Sequence, residues 1–179
     1  MIFAVLATGP SLSQAVVNSV QNRVKVVAVS DAYRLAPWAD ALASTDFSWW
    51  RQHPEAAAFN GRKFSGMVDY QNVEGVEKLV GESATNSGLL GVKVAVLMGA
   101  TVVLLCGFDL HSPGEHFFGR HGGSLRSTTP QRMEVFKRQF ELYQPRGVQI
   151  INCTPGSALH VYPTASLDAC LAESALHGS

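Results

Sequence analysis

The sequence predicts an α/β protein: a three-layer sandwich with helices on both faces of a mostly parallel central sheet. Three observations carry that reading. Short apolar runs recur at Ile2–Ala7, Val24–Val29, Thr101–Cys106 and Gly147–Cys153, and the unbroken Thr101–Cys106 suits a strand buried on both faces of a parallel sheet. Between the runs, apolar residues fall at helical spacing, Leu89, Leu90, Val94, Leu97 and Met98 in one segment and Met133, Phe136, Phe140 and Tyr143 in another. Turns bearing Gly, Pro and Ser follow the strands, at the end where open α/β sheets keep their ligand crevices.

The first strand, Ile2–Ala7, ends in Thr8-Gly9-Pro10-Ser11-Leu12-Ser13. Gly permits unusual backbone angles there, and Pro at a helix start forfeits no hydrogen bond. Ser11 or Ser13 is the candidate cap of a helix carrying Ala15, Val16, Val17 and Val20. Backbone amides of such a turn can hold phosphate, or the glycine can be purely structural; no GxGxxG motif or lysine-bearing P-loop is present. The second strand, Val24–Val29, is followed by Ser30-Asp31. Asp31 either accepts a hydrogen bond from a ribose hydroxyl or caps the next helix. Pro37 keeps any helix over Arg34–Ala39 short, a third strand is expected over Ala41–Ser44, and Asp46 follows it. Trp49 and Trp50 begin a helix, as core, lid or stacking surface.

From His53 to Glu82 the pattern is broken by Pro54, Asn60-Gly61 and Gly66, with short strands expected over Arg62–Phe64 and Val76–Val80. The chain reads as a single domain, 1–179, with a small insertion around 53–82. Asn86-Ser87-Gly88 opens the next helix, whose unpaired amino-terminal N–H groups attract anions. Gly91, Ala95 and Gly99 let that helix lie close to a sheet. The strand Thr101–Cys106 then ends in Gly107-Phe108-Asp109.

His111 to Gly123 is a loop rich in Gly, Pro and Ser, a candidate lid over the central strands. His111, His116 and His121 are spaced five apart, which puts side chains on opposite faces of a strand or about 140° apart on a helix. Regular structure cannot gather them, so one histidine acting as general base is favoured over a metal site. Gln131–Tyr143 reads as an amphipathic helix packed on the sheet, with Arg132, Lys137 and Arg138 on its other faces. Gly147–Cys153 is the last strand, Thr154–Leu159 a turn at its ligand-side end, and Ser166–Leu176 a terminal helix.

A chain of 179 residues with zero formal net charge can bury a core without disulfides and carries no basic excess for nucleic acid. Cys106, Cys153 and Cys170 are odd in number and two of them lie in or beside apolar runs, which favours reduced thiols. The amino-terminal apolar run lacks basic residues before it and stops at Thr8-Gly9-Pro10, unlike a signal peptide. No apolar run approaches the ~20 residues of a membrane span. A cytoplasmic protein is expected.

Gly9-Pro10-Ser11-Leu12, Ser30-Asp31, Asn86-Ser87-Gly88 and Gly107-Phe108-Asp109 occur together in this order, followed by the tail Asn152-Cys153-Thr154-Pro155-Gly156-Ser157. Together they resemble the Rossmann-like family that joins bacterial sialyltransferases of glycosyltransferase family 42 to archaeal hydroxymethylpterin diphosphokinases. The run Ala32–Asp40 is similar to small proteins of tailed phages and prophages, a likeness that extends over nearly the whole chain. The resemblance implies that Thr8, Gly9, Pro10, Ser11, Ser30, Asp31, Asn86, Ser87 and Gly88 surround a nucleotide. It also implies that His116 is the general base and Asp109 part of the catalytic end of its strand. The second strand end usually carries Asn in that family, where this chain has Ser30 and Asp31. The paired tyrosines that hold the donor phosphate have no counterpart in this chain's loop.

The expectation is therefore a nucleotide-dependent transferase. The leading form is an inverting glycosyltransferase with a nucleotide-activated sugar donor, of CMP or another nucleotide type, and no required cofactor. The acceptor is left open among a glycan, a DNA base and a small molecule. A pyrophosphate- or phosphate-transferring enzyme of the pterin kinase kind would need a divalent metal on Asp31, Asp46 and Asp109. A phage protein that binds a nucleotide or a host partner without chemistry is the third alternative. Homo-oligomers are common among such folds, and a homo-oligomer is one expectation, with no exposed apolar stripe assignable from the sequence.

Overall fold

The computed structural model describes residues 1–66, 71–79, 86–119 and 128–176. Within them, β1 (Ile2–Leu6), β2 (Lys25–Val29), β3 (Ala41–Ala43), β4 (Arg62–Ser65), β5 (Glu77–Lys78), β6 (Val102–Cys106) and β7 (Gln149–Asn152) form one sheet. Its order is β5-β4-β3-β2-β1-β6-β7, and every neighbouring pair is parallel. Parallel strands need crossover connections. Five helices accompany the strands: α1 (Gln14–Val20), α2 (Phe47–Gln52), α3 (Ser87–Leu97), α4 (Pro130–Leu142) and α5 (Leu167–Leu176). The molecule is a Rossmann-like α/β sandwich.

The chain starts in the middle of the sheet and steps outward from β1 to β5. It then returns through α3 to place β6 on the other side of β1, with Phe3 opposite Val103 and Leu6 opposite Cys106. Connections therefore leave β1 and β6 in opposite directions, and a crevice opens where such strands end.

Alternation along the strands divides the core. Phe3, Val5, Val27, Val29, Val103 and Leu105 face α3 and Phe140 of α4. Ala4, Leu6, Val26, Ala28, Leu104 and Cys106 face Val17 and Val20 of α1, both tryptophans of α2 and Leu171 of α5. Both faces are apolar because both are covered. Gly91 lets α3 close on the sheet: a Cβ there would stand 2.6 Å from Val29 Cγ2 and 3.0 Å from Val5 Cγ1. Ser13 caps α1 by accepting from Val16 N, Asn86 caps α3 by accepting from Leu89 N, and Thr129 caps α4 by accepting from Arg132 N.

Two expectations about burial need correction. Leu97, assigned to the buried face of α3, is 57% exposed in its last turn, while Val92 is fully buried; a helix apolar almost all round gives periodicity little to discriminate. On α4 only Phe140 is buried. Met133 and Phe136, expected on the sheet, are half-buried instead and line a cleft. The 53–82 segment contributes β4 and β5 to the edge of the same sheet. There Arg62 grips Glu77 with two bonds, Nε–Oε1 at 2.9 Å and an Nη2–Oε2 bond at 2.7 Å, and the guanidinium holds the Glu77 carboxyl below its usual range. The predicted strand Val76–Val80 is shorter, and its Val80 lies outside the described residues. Cys106, Cys153 and Cys170 are free thiols. Among the described residues no helix is long and apolar enough to cross a membrane.

Candidate functional site

At the carboxyl ends of β1 and β6 the two strands are locked by glycines. Ala7 N donates to Cys106 O at 2.8 Å and Gly9 N to Gly107 O at 2.9 Å. A Cβ on Gly9 would lie 2.0 Å from Asp109 Oδ2 and 2.4 Å from Gly107 O. Gly107 has φ +77°, and its Cβ would lie 2.5 Å from Ala7 O. No other residue type fits at either place.

Asp109, 4% exposed, faces the turn after β1. Its Oδ1 accepts from Ser11 N at 3.2 Å and its Oδ2 from Ser11 Oγ at 2.8 Å. Leu12 N donates to Gly9 O at 3.0 Å, and Pro10 has no N–H. The expected amide cradle of Gly9–Leu12 is thus already engaged inside the protein. What the turn offers a ligand is its shape and the Thr8 hydroxyl.

The tail holds the Gly107-Phe108-Asp109 segment from behind. Thr154 Oγ1 accepts from Phe108 N at 3.0 Å and donates to Leu105 O at 3.3 Å. Ser157 Oγ donates to Phe108 O, and Ala158 N donates to Asp109 O at 2.8 Å. Asn152 fixes the turn itself, with Nδ2 donating to Leu159 O and Oδ1 accepting from Thr154 N. The Asn-x-Thr-x-x-Ser ending is a brace beneath the site.

Opposite stands the amino end of α3. Asn86, 4% exposed, caps Leu89 N at 3.0 Å and donates through Nδ2 to Gln139 Oε1 of α4 at 3.2 Å. Ser87 Oγ accepts from Thr45 N at 3.0 Å and lies 2.9 Å from Thr45 Oγ1. The Gly88 position is tight, since a Cβ would meet Phe108 at 3.1 Å. Leu90 N bonds Asn86 O, so the first-turn amides of Ser87 and Gly88 are the ones a helix start leaves for a ligand.

His116 belongs to the loop after β6. Its Nδ1 lies 2.9 Å from Thr8 Oγ1, and its ring stacks on Phe118 at 5.0 Å. Phe117 N donates to Thr8 O at 3.0 Å, while His116 and Gly119 exchange backbone bonds in a small hairpin. The loop is therefore pinned to the first-strand turn through His116 and Phe117. His111 stands apart, exposed, with Nδ1 2.6 Å from Ser112 Oγ and Nε2 3.8 Å from Asp109 Oδ1. Arg120, His121, Gly122 and Gly123 lie outside the described residues. Among the described residues no three acidic, His or Cys groups are disposed to hold a metal ion.

These elements enclose a cavity of about 220 Å³ lined by Thr8, Gly9, Pro10, Ser30, Asn86, Ser87, Gly88, Asp109 and His116 from among the expected residues. Ser11 and Asp31 do not line it. Asp31 is 2% exposed; its Oδ2 accepts from Trp49 Nε1 at 2.9 Å, and Arg34 lies 3.2 Å from its Oδ1. Both carboxylate oxygens are thus held by neighbouring side chains of the protein. Trp49 and Trp50 are core residues, and Trp49 also walls the cavity. A larger hollow of about 1150 Å³, lined by Met1, Lys25, Val102 and Gln149, lies at the amino ends of the strands. None of the turns described above reaches it.

Sequence reasoning missed the wall made by α4, namely Arg132, Met133, Phe136 and Phe140, and the Thr45 partner of Ser87. Helical spacing identified the apolar face of α4 but not what it faces. Among the described residues, two of the three non-glycine residues with positive φ, Ser30 at 45° and Leu110 at 55°, also line the cavity. Such conformations cost about 1–3 kcal/mol and cluster at ligand sites. Compared with known proteins, the chain matches no family model, no characterised protein and no solved structure.

Proposed function

We propose that the cavity binds a nucleoside phosphate and that the protein is a nucleotide-dependent transferase, an inverting glycosyltransferase with a nucleotide-activated sugar donor. The observation that carries this reading is the convergence of Thr8–Pro10, Ser87–Gly88 and His116 on one cavity where β1 and β6 end. The free amides of Ser87 and Gly88 at the start of an eleven-residue helix favour a phosphate there, and the apolar wall of Phe108 and Phe136 suits a base or sugar face.

In this reading His116 is the general base. With Nδ1–H donating to Thr8 Oγ1, Nε2 carries the basic lone pair. It takes the proton of the acceptor hydroxyl as that oxygen bonds to the anomeric carbon. The bond from that carbon to the phosphate oxygen breaks, and the nucleotide leaves with the electron pair. Nε2 is withdrawn from solvent, so in this reading the acceptor has to displace whatever covers it.

The pterin kinase alternative is less favoured because its acids do not converge: Asp31 is bonded to Trp49 and Asp109 to Ser11. A cytoplasmic enzyme is the setting we propose. The test is a thermal-shift panel of CMP, CDP, UDP, GDP, ADP and ATP with and without magnesium. A ligand at about a hundred times its Kd adds roughly 2.7 kcal/mol. Stabilisation by a nucleotide without metal supports the transferase and identifies the donor class. A shift with ATP and magnesium alone transfers the reading to the kinase, and no shift leaves a partner-binding protein.

A further inference from the structure

We propose that Arg132 is the specificity-determining residue that recognises the ligand's phosphate and makes the cavity select nucleotides over nucleosides. The inference rests on the reading of the cavity given above. Its starting point is that three amides of the turn after β1 are already engaged: the Gly9, Ser11 and Leu12 N–H groups are bonded to Gly107 O, Asp109 and Gly9 O. A phosphate needs donors from elsewhere.

The charge balance points the same way. Asp46, Asp109 and Glu115 line the cavity, and Arg132 is the only lysine or arginine among its described lining residues. An anion entering beside these carboxylates requires that cation. The other cations in the middle of α4 are engaged, Lys137 with Glu134 and Arg138 with Glu141, each one helical turn away. Arg132 has Thr129 and Val135 three residues away and Thr128 and Phe136 four away, so no acid lies within helical reach. Among the described residues no ion pair engages its guanidinium.

Its surroundings suit the task. Met133, Phe136 and Phe140 line the same wall, and an apolar wall strengthens a charge–charge contact made against it. The guanidinium fork matches phosphate oxygens two at a time. Gln139, bonded to Asn86 Nδ2 at 3.2 Å, ties α4 to the start of α3. Arg132 lies two turns earlier, about 10 Å along the helix at ~1.5 Å per residue. Arg132, Ser87 and Gly88 line the same cavity, so one phosphate is the ligand group that both the guanidinium and the two amides would serve.

The experiment is calorimetric titration of CMP, UDP, GDP and ADP, each against its own nucleoside, into wild type, Arg132→Gln and Arg132→Lys, at low and high salt. Thermal midpoints confirm that the variants fold, as expected for an exposed side chain. For the nucleotides that bind, Arg132→Gln should lose roughly 10- to 100-fold in affinity with nucleoside affinity unchanged. Arg132→Lys should recover part of the loss, and the salt dependence of nucleotide binding should weaken in Arg132→Gln. An unchanged nucleotide-to-nucleoside ratio in Arg132→Gln overturns the role of Arg132 and leaves the cavity reading intact. If wild type binds neither nucleotide nor nucleoside, the cavity reading fails, and this inference with it.

Discussion

Ser11 and Asp109, 98 residues apart in sequence, are joined by hydrogen bonds from Ser11 N, shared between Oδ1 and Oδ2, and from Ser11 Oγ to Oδ2. The acid at the end of β6 therefore acts first as a strut under the first-strand turn. Its carboxylate also sits where a Gly9 side chain would be, so turn and acid are shaped to each other.

Removing the strut should be costly. Asp109→Ala leaves the half-buried Ser11 amide and hydroxyl without their acceptor, at up to about 1–3 kcal/mol in all. Asp109→Asn keeps one acceptor and should fall between Ala and wild type. Urea unfolding of the three proteins measures this; equal midpoints would show that Asp109 does not brace the turn.

The glycine lock makes a sharper prediction. Gly9→Ala and Gly107→Ala each drive a methyl group into backbone oxygen, at 2.4 and 2.5 Å. Each should destabilise by at least the roughly 1–3 kcal/mol typical of overpacking. Gly99→Ala, which meets nothing within 4 Å but has φ +94°, separates strain from collision and should cost less.

For the proposed base, His116→Ala should lower turnover roughly a hundred-fold or more while nucleotide affinity stays within a few-fold. Thr8→Val removes the hydroxyl that orients Nδ1 and should lower turnover by more than it weakens nucleotide binding. Activity equal to wild type in His116→Ala would remove His116 from the chemistry. Activity surviving excess EDTA is expected as well, since the described acids do not converge on a cation site.

Alkaline pH should weaken the fold through a buried thiol. Burial pushes the Cys106 thiol from 9.0 up to about 12, and the Cys153 thiol and Tyr162 hydroxyl are also pushed up by burial. The folded state therefore favours the neutral thiol. That stabilisation is complete below the unfolded value near 9.0 and is lost as pH rises toward about 12. Urea midpoints measured across that window should fall, and Cys106→Ala should show a shallower fall than wild type. Equal slopes would deny Cys106 a part in it.

Most of the fold could be read from the chain because its strands are apolar on both faces and its turns carry Gly and Pro where the backbone demands them. Thr101–Cys106 needed no more than that to be read as an interior strand, although β6 lies next to the edge strand β7 rather than in the centre. The edge strand β5 was harder: two exposed or half-exposed residues, Glu77 and Lys78, leave no apolar signature, and an ion pair with Arg62 helps hold it. At the site, the glycines and Asn86 were legible because backbone geometry and capping are local demands. The fates of Ser11, Asp31 and the turn amides were not, since each depends on a partner distant in sequence, Asp109, Trp49 or Gly107. Nor could spacing show that Met133 and Phe136 turn toward a cavity, for a helix has the same period whatever it faces.

Because β1 lies between β2 and β6, and Val102 is the first residue of β6, more than half of the chain must leave the ribosome before β1 is enclosed. Until then β1 presents an unpaired, wholly apolar edge, the kind that recruits foreign strands. The five strands from β1 to β5 can assemble in the order of synthesis, but the cavity cannot exist before β6 docks and Gly107 meets Gly9. Nascent-chain stalling before and after residue 106 would place the birth of the ligand site on that single docking step. A cell would thus hold either a finished binding site or none.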